Sequence, residues 1–284
     1  MNTTLLRAIT AEEIAAYQRD GVVCLKGMFD ADWCARMYDA SVAFMVGGGG
    51  RNREVRPADG SKRMFQSVWM SDINDDFRAF REASAAPEIA ATLMQVDEVR
   101  FFYDQLFIKE PGSTAPTPWH NDLPFWPFRG SHLISLWTAF TPVKREWSGV
   151  EYVAGSHRWN KFFRAITPDR DPHFENPALE VCPDYGASTH AGLQRLSWDM
   201  QPGDVLVHHP LTVHGAGGNQ NQSQRRVGLS VRYFGRDVQW DPRPHTMRLP
   251  RTPQVAPGEY PGDDAAFPLM WNRARGLVAA RSLA

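Results

Sequence analysis

The run VRFFYDQLFIK, Val99 to Lys109, is dense in β-branched and aromatic residues and halts at Pro111-Gly112, as a strand does. Leu133–Pro142 and Val227–Phe234 have the same texture, and shorter strands fit Gly149–Val153, Leu196–Asp199 and Val205–His208. Upstream the pattern is helical. Thr10-Ala11-Glu12-Glu13 is a capping box that opens a helix through about Arg19, and Val22–Leu25 follows as a strand. Asp30 can cap a second amphipathic helix through Trp33, Met37 and Phe44. Two more helices are expected at Asp72–Glu82 and at Pro87–Met94, the latter with proline in its first turn. Helices first and many short strands after predict a mostly β protein, an antiparallel sandwich or jelly-roll barrel with a helical layer on one side. The glycines Gly47–Gly50 and the charged stretch to Lys62 are expected to form a mobile loop, long enough for a lid. The tail from Asp241 holds seven prolines up to Pro268 and is expected to wrap the core, with a short helix near Ala265–Leu283.

Composition narrows the function. A chain of 284 residues has ample core for one domain, here divided into helical support (1–96), strand-rich core (97–240) and wrap (241–284). The 16 Phe, 10 Trp and 7 Tyr suit a β-rich interior or an apolar pocket. Net charge is −1 without a basic block, which argues against nucleic-acid binding and against a polybasic membrane anchor. No apolar run approaches membrane-span length, and Met1–Thr10 lacks the layout of a secretion signal, so a soluble cytoplasmic protein is expected. Cys24, Cys34 and Cys182 lack metal spacing and read as buried thiols.

The chemistry gathers at Pro118-Trp119-His120-Asn121-Asp122. A His and an Asp two positions apart in extended chain point the same way, within reach of one cation. A His-x-Asp triplet arises by chance about 0.6 times in a chain of this composition, so it needs company. Pro202-Gly203-Asp204 followed by Val205–His208, His209 and His214 offers a third ligand; His214 is favoured because Gly215–Gly218 lets backbone close on a small ligand, with His209 as rival and His208 as a structural histidine. Two His and one carboxylate leave open positions on ferrous iron. Further on, Arg226, Gly228, Ser230 and Arg232 share one strand face and Arg225 takes the other; a guanidinium in a strand interior calls for a carboxylate. Trp119, Phe125, Trp126 and Phe128 could wall an apolar pocket beside the metal loop. No nucleophile-elbow or zinc-helix motif is present to suggest a hydrolase.

Taken together, "YQRDGVVCLKGMFD", "DQLFIKEPG", "PWHNDLPFWPFRGSHLISLWTAFTPV", "EYVAGSHRW", "PGDVLVHHPLTVHGAGGNQNQS" and "RRVGLSVRY" resemble the phytanoyl-CoA dioxygenase family of Fe(II)- and 2-oxoglutarate-dependent oxygenases. The resemblance implies a double-stranded β-helix (jelly roll, cupin-like) core with an N-terminal helical layer. It makes His120, Asp122 and His214 the iron ligands and the catalytic centre, with Arg226 on the distal carboxylate of 2-oxoglutarate and Trp137 and Gln105 lining that cofactor's pocket. Gly155-Ser156-His157 matches a structural turn. The implied reaction is hydroxylation of an unactivated C–H in a small molecule, consuming 2-oxoglutarate and O2 and releasing succinate and CO2; the alternative is a jelly-roll binding protein without turnover. Two positions depart from the pattern: Ala216 stands where relatives often place a serine, for which Ser230 or Thr138 are candidate substitutes, and Ala154 stands where a proline is usual. Asp122 favours oxygenation over halogenation, because related halogenases have a small residue there.

Overall fold

The computed structural model describes residues 1–164, 166–167, 171–187, 190 and 192–278. Helix α1 (Ala11–Asp20) begins at the expected capping box: Thr10 accepts from the Glu13 amide, and the Glu13 carboxylate accepts from the Thr10 amide. Gly21 ends it at φ 74°, where a Cβ would sit 2.3 Å from the His157 ring and 2.5 Å from the Thr212 hydroxyl. Strand β1 (Val22–Leu25) follows, and Asp30 caps α2 (Ala31–Gly47) by accepting from the Trp33 amide. Helices α3 (Asp75–Ala83) and α4 (Ala86–Met94) complete the helical layer.

The Gly47–Lys62 stretch is not the open loop its composition led us to expect. After the left-handed glycines Gly48–Gly50, Arg51–Val55 forms strand β2 and hairpins onto β3 (Met64–Val68), from Arg51 opposite Val68 to Val55 opposite Met64. β2 is polar and largely exposed; the buried β3 supplies the partner that its own sequence does not advertise.

The remaining strands are β4 (Glu98–Lys109), β5 (Thr117–His120), β6 (Phe128–Arg129), β7 (Leu133–Ala139), β8 (Val150–Val153), β9 (Arg195–Leu196), β10 (Val205–His208), β11 (His214–Ala216), β12 (Arg226–Phe234), β13 (Gln239–Trp240), β14 (Leu269–Asn272) and β15 (Gly276–Leu277), with a short helix α5 (Arg145–Ser148) before β8. A large antiparallel sheet runs β1-β10-β7-β12-β4; β4 also pairs with β3 and with β14, which turns back into β15. A smaller antiparallel sheet, β5-β11-β8-β9, carries the candidate ligands, and β6 pairs with β13. The architecture is the mostly β jelly roll with N-terminal helices that was expected. Two details differ. The segment Leu196–Asp199 is strand only at its start, and the tail helix expected near Ala265–Leu283 is a β14–β15 hairpin, with 279–284 outside the described residues. Proline-limited local chain is rescued there by pairing with the free edge of β4.

Alternation gives the large sheet two unlike faces. On one, Leu106, Ile108, Val205, Val207, Leu229 and Val231 pack against Trp33, Met37, Phe80, Ile89 and Leu93 of the helices. The other closes a cavity with the smaller sheet.

Candidate metal centre and cavity

His120 ends β5, His214 begins β11, and the register sets them opposite each other with ring centroids 4.3 Å apart. Each Nδ1 faces a backbone carbonyl two residues back, Pro118 at 2.7 Å and Thr212 at 2.9 Å. Donation there fixes the tautomer and leaves Nε2 as a lone pair for a ligand. Both Nε2 atoms approach the same oxygen, Asp122 Oδ1, at 3.4 Å and 4.0 Å.

Asp122 reaches this point by a different route from the one the spacing predicted. Strand β5 stops at His120, and Asp122 has helical dihedrals (φ −77°, ψ −35°) where the Leu123–Phe125 turn begins. The Asp122 and Leu123 amides both donate to the Pro210 carbonyl, at 2.7 and 3.1 Å. The turn is thus tied to the His209–Pro210 segment, and that tie, not strand alternation, aims the carboxylate. The ligand atoms of His120, Asp122 and His214 lie within 4.8 Å of one another, a donor set suited to ferrous iron with positions left open.

Burial alone would push the Asp122 carboxyl up; the neighbouring imidazoles of His120 and His208 and the charge of Arg232 outweigh it and hold the group well below the usual carboxylate range. Burial, with His120 and His208 alongside, keeps His214 well below its ordinary value, so the ring is neutral and able to ligate. His209 is not part of the group. Its Nδ1 accepts from the Leu211 amide at 3.1 Å, its ring lies 5.7 Å from His157, and burial with those neighbouring rings drops it to about 3. His208 sits inside, with Nε2 3.3 Å from Asp122 Oδ2 and Nδ1 3.3 Å from the Tyr152 hydroxyl.

The three groups open onto a cavity of about 620 Å³, which Gln105, Trp137 and Arg226 also line. Arg226 is 4% exposed; Nη1 donates to the Ser148 carbonyl at 2.9 Å, Nε has no partner, and burial brings the guanidinium down to about 10. No carboxylate among the described residues pairs with it, so a buried cation faces a cavity that can deliver an anion. Arg225 points the other way and pairs with Glu110 at 3.2 Å. The Trp137 indole lies 5.3 Å from the Arg226 guanidinium and against Gly228, where a Cβ would stand 2.1 Å from the ring; only glycine admits it. Gln105 donates to Gln66 Oε1 at 3.0 Å. Of the two candidate hydroxyls, Ser230 lines the cavity, whereas Thr138, opposite Leu229, belongs to the helix face.

The aromatic wall is only partly as expected. Phe125 lines the cavity, but Trp126 and Phe128 are buried with Phe102 and Phe267, and Trp119 packs on Tyr185. Trp69 and Tyr103 take their place in the cavity lining. Lys109 was also missed: it is fully buried opposite Arg226, its amine donates to the Gly217 carbonyl, and burial and then Arg226 push its pKa well below the ordinary value. Its spacing from Gln105, four residues along one strand, was the available signal. Gly155-Ser156-His157 is structural, with Ser156 Oγ donating to Val153 O and accepting from the Val213 amide just before His214.

The antiparallel jelly roll thus brings two imidazoles and a carboxylate to the wall of a cavity that a buried arginine also lines, a donor set and an enclosure of the kind that metal and small-molecule sites use. The chain belongs to the phytanoyl-CoA dioxygenase (PhyH) family, whose model matches residues 17–227. It is 31% identical over 129 residues to a probable phytanoyl-CoA dioxygenase of Caenorhabditis elegans, covering 44% of this chain and 38% of that protein, so it spans well under half of that relative's length. It is 25% identical over 256 residues to the multifunctional dioxygenase prhA of Penicillium brasilianum, covering 81% of this chain and 74% of that one. The epimerase SnoN, solved with Fe3+, alpha ketoglutarate and nogalamycin RO, shares the fold at TM-score 0.68 and 22% identity, over 91% of this chain and 97% of that one. Among the described residues no helix is long and apolar enough to cross a membrane.

Proposed function

We propose that this chain is an Fe(II)- and 2-oxoglutarate-dependent oxygenase that hydroxylates an unactivated C–H bond of a small molecule. The observation that carries the reading is the pairing, in one cavity, of the His120–Asp122–His214 donor set with an Arg226 guanidinium that has no carboxylate partner among the described residues. In it His120, Asp122 and His214 hold iron, and Arg226 receives the distal carboxylate of 2-oxoglutarate beside Trp137 and Gln105. Iron with 2-oxoglutarate supplies oxidative decarboxylation to succinate and CO2 and, from O2, the oxidant for the substrate C–H. The chain itself supplies position and dryness. The Pro118 and Thr212 carbonyls orient the imidazoles, and the Ser148 carbonyl holds the guanidinium beside the Trp137 ring. Phe125, Trp69 and Tyr103 present apolar surface for the substrate. Residues 1–96, 97–240 and 241–284 act in this reading as one domain, since β1–β3 and β14–β15 pair into the sheet that carries Arg226.

Anaerobic addition of ferrous iron and then 2-oxoglutarate to metal-free protein tests it. A visible charge-transfer band that needs both additions is expected, followed by substrate-stimulated succinate release under O2. A protein that gives no band and consumes no 2-oxoglutarate is a jelly-roll binding protein, and the proposal fails.

A further inference from the structure

The two oxygens of Asp122 live in different surroundings. Oδ1 faces the Nε2 atoms of His120 and His214, whereas Oδ2 faces the other way, 3.3 Å from His208 Nε2 and 3.8 Å from Arg232 Nη2. His208 ends β10 and Arg232 lies on β12; both are opposite Ser135 of β7, one on each side. The two partners of Oδ2 therefore come from fully buried strands of the large sheet, whereas His120 and His214 come from the small one. Their own mobility is limited. Arg232 is 3% exposed with its guanidinium 4.3 Å from the Tyr103 ring, and His208 is 3% exposed with Nδ1 against the Tyr152 hydroxyl. Tyr152 in turn stacks on His214, centroids 5.4 Å apart and planes 22° apart.

We propose that His208 is a positioning residue that locks Asp122 into one-oxygen ligation, so that the carboxylate gives the ion Oδ1 alone. The inference rests on the metal reading above. An ionised carboxylate has no proton to give, so His208 Nε2 carries the hydrogen and donates to Oδ2; Nδ1 is then the acceptor, and the Tyr152 hydroxyl donates to it. A ring hydrogen-bonded at both ends cannot rotate without losing a buried partner. With Oδ2 engaged, the carboxylate cannot swing to bind through both oxygens. A position that bidentate binding would fill stays open for the keto acid and oxygen.

The test uses cobalt(II), whose visible spectrum reports coordination, on full-length metal-free protein. His208→Phe should bind cobalt about 10–100-fold more weakly than wild type, the usual cost of losing an outer partner of a ligand, with an altered visible spectrum and a little-changed melting temperature. His208→Gln, whose carboxamide N–H can reach the same oxygen, should recover most of that loss; a merely space-filling role would not distinguish the two variants. Tyr152→Phe keeps the ring on His214 but removes the hydroxyl, and should cost a smaller, few-fold factor; it carries the test if His208→Phe does not fold. Wild-type cobalt affinity and spectrum in His208→Phe, or in Tyr152→Phe where that variant stands in, would overturn the lock. So would equal weakness of the Phe and Gln variants, or a spectrum showing that His208→Phe loses a directly bound imidazole. Cobalt binding indifferent to Asp122→Ala would instead sink the metal reading on which the lock depends.

Discussion

Strand β12 carries two different sequences on its two faces. Val227, Leu229, Val231 and Tyr233 point at the helices and belong to the main apolar core, while Arg226, Ser230 and Arg232 line the cavity and Gly228 gives way to Trp137. The same backbone hydrogen bonds hold both sets in register with β4 and β7. The helix face is a packing problem solved by volume. The cavity face holds two buried guanidiniums, and among the described residues Arg232 meets a carboxylate only at Asp122 and Arg226 meets none; such groups are expensive unless a ligand repays them. Stability and function are thus separated by one residue step along a strand, and each can be broken without the other.

The largest break is on the cavity side. Asp122→Ala removes the one charged donor of the metal set, and succinate formation coupled to product should fall to background while the helix face is untouched. Wild-type coupling in that variant would show the ligand assignment to be wrong. On the other face, Leu229→Ala leaves a void in the core shared with the helices and should cost about 2–5 kcal/mol in urea unfolding. The folded fraction should still give the charge-transfer band with unchanged 2-oxoglutarate dependence; a matching loss of cofactor affinity would mean the faces are coupled. Arg226→Lys is smaller again. A point charge cannot copy a two-pronged contact, so the 2-oxoglutarate concentration for half-saturation should rise at least about tenfold, or ~1.4 kcal/mol, with iron affinity unchanged. Unchanged dependence would shift the role to Arg232, since Arg225 is committed to Glu110.

What could be read in the sequence follows the same division. The apolar strands around β4, β7 and β12 announce themselves because period-two alternation and β-branched residues are local properties, and so does the Thr10 box. The β2–β3 hairpin did not: Arg51–Val55 is polar on both faces and becomes a strand only through Met64–Val68. The tail hairpin depends likewise on the free edge of β4. At the site, His120, Asp122, His214 and Arg226 were legible through their motifs. The reason Asp122 faces the histidines was not, because the Pro210 carbonyl that bends its turn lies far along the chain. Nor was the meeting of His208 and Arg232, which cross-strand register through Ser135 creates and no local pattern encodes.

One residue violates the division and so sharpens it. Asp104 sits on β4 between Tyr103 and Gln105 of the cavity face, pointing into the helix side, 1% exposed. Its Oδ2 accepts from the Ser71 amide at 2.9 Å, but Oδ1 has no partner among the described residues. Burial raises it to about 6, the Ser71 bonds and Arg81 offsetting only part of the effect and Asp72 adding slightly to it. The folded value thus stands above the unfolded one of about 3.9, so the fold binds this proton more tightly than the unfolded chain does. Ionisation therefore costs stability above about pH 6; the cost shrinks as pH falls through that value and is gone below the unfolded pKa. Asp104→Asn keeps an acceptor for the Ser71 amide and never ionises. It should be more stable than wild type by ~1–3 kcal/mol at pH 8, with the gap closing towards pH 4. A stability difference that stays flat across that range would mean Asp104 is charged at no cost, and the helix face would then be more tolerant of polarity than its neighbours Leu106 and Ile108 suggest.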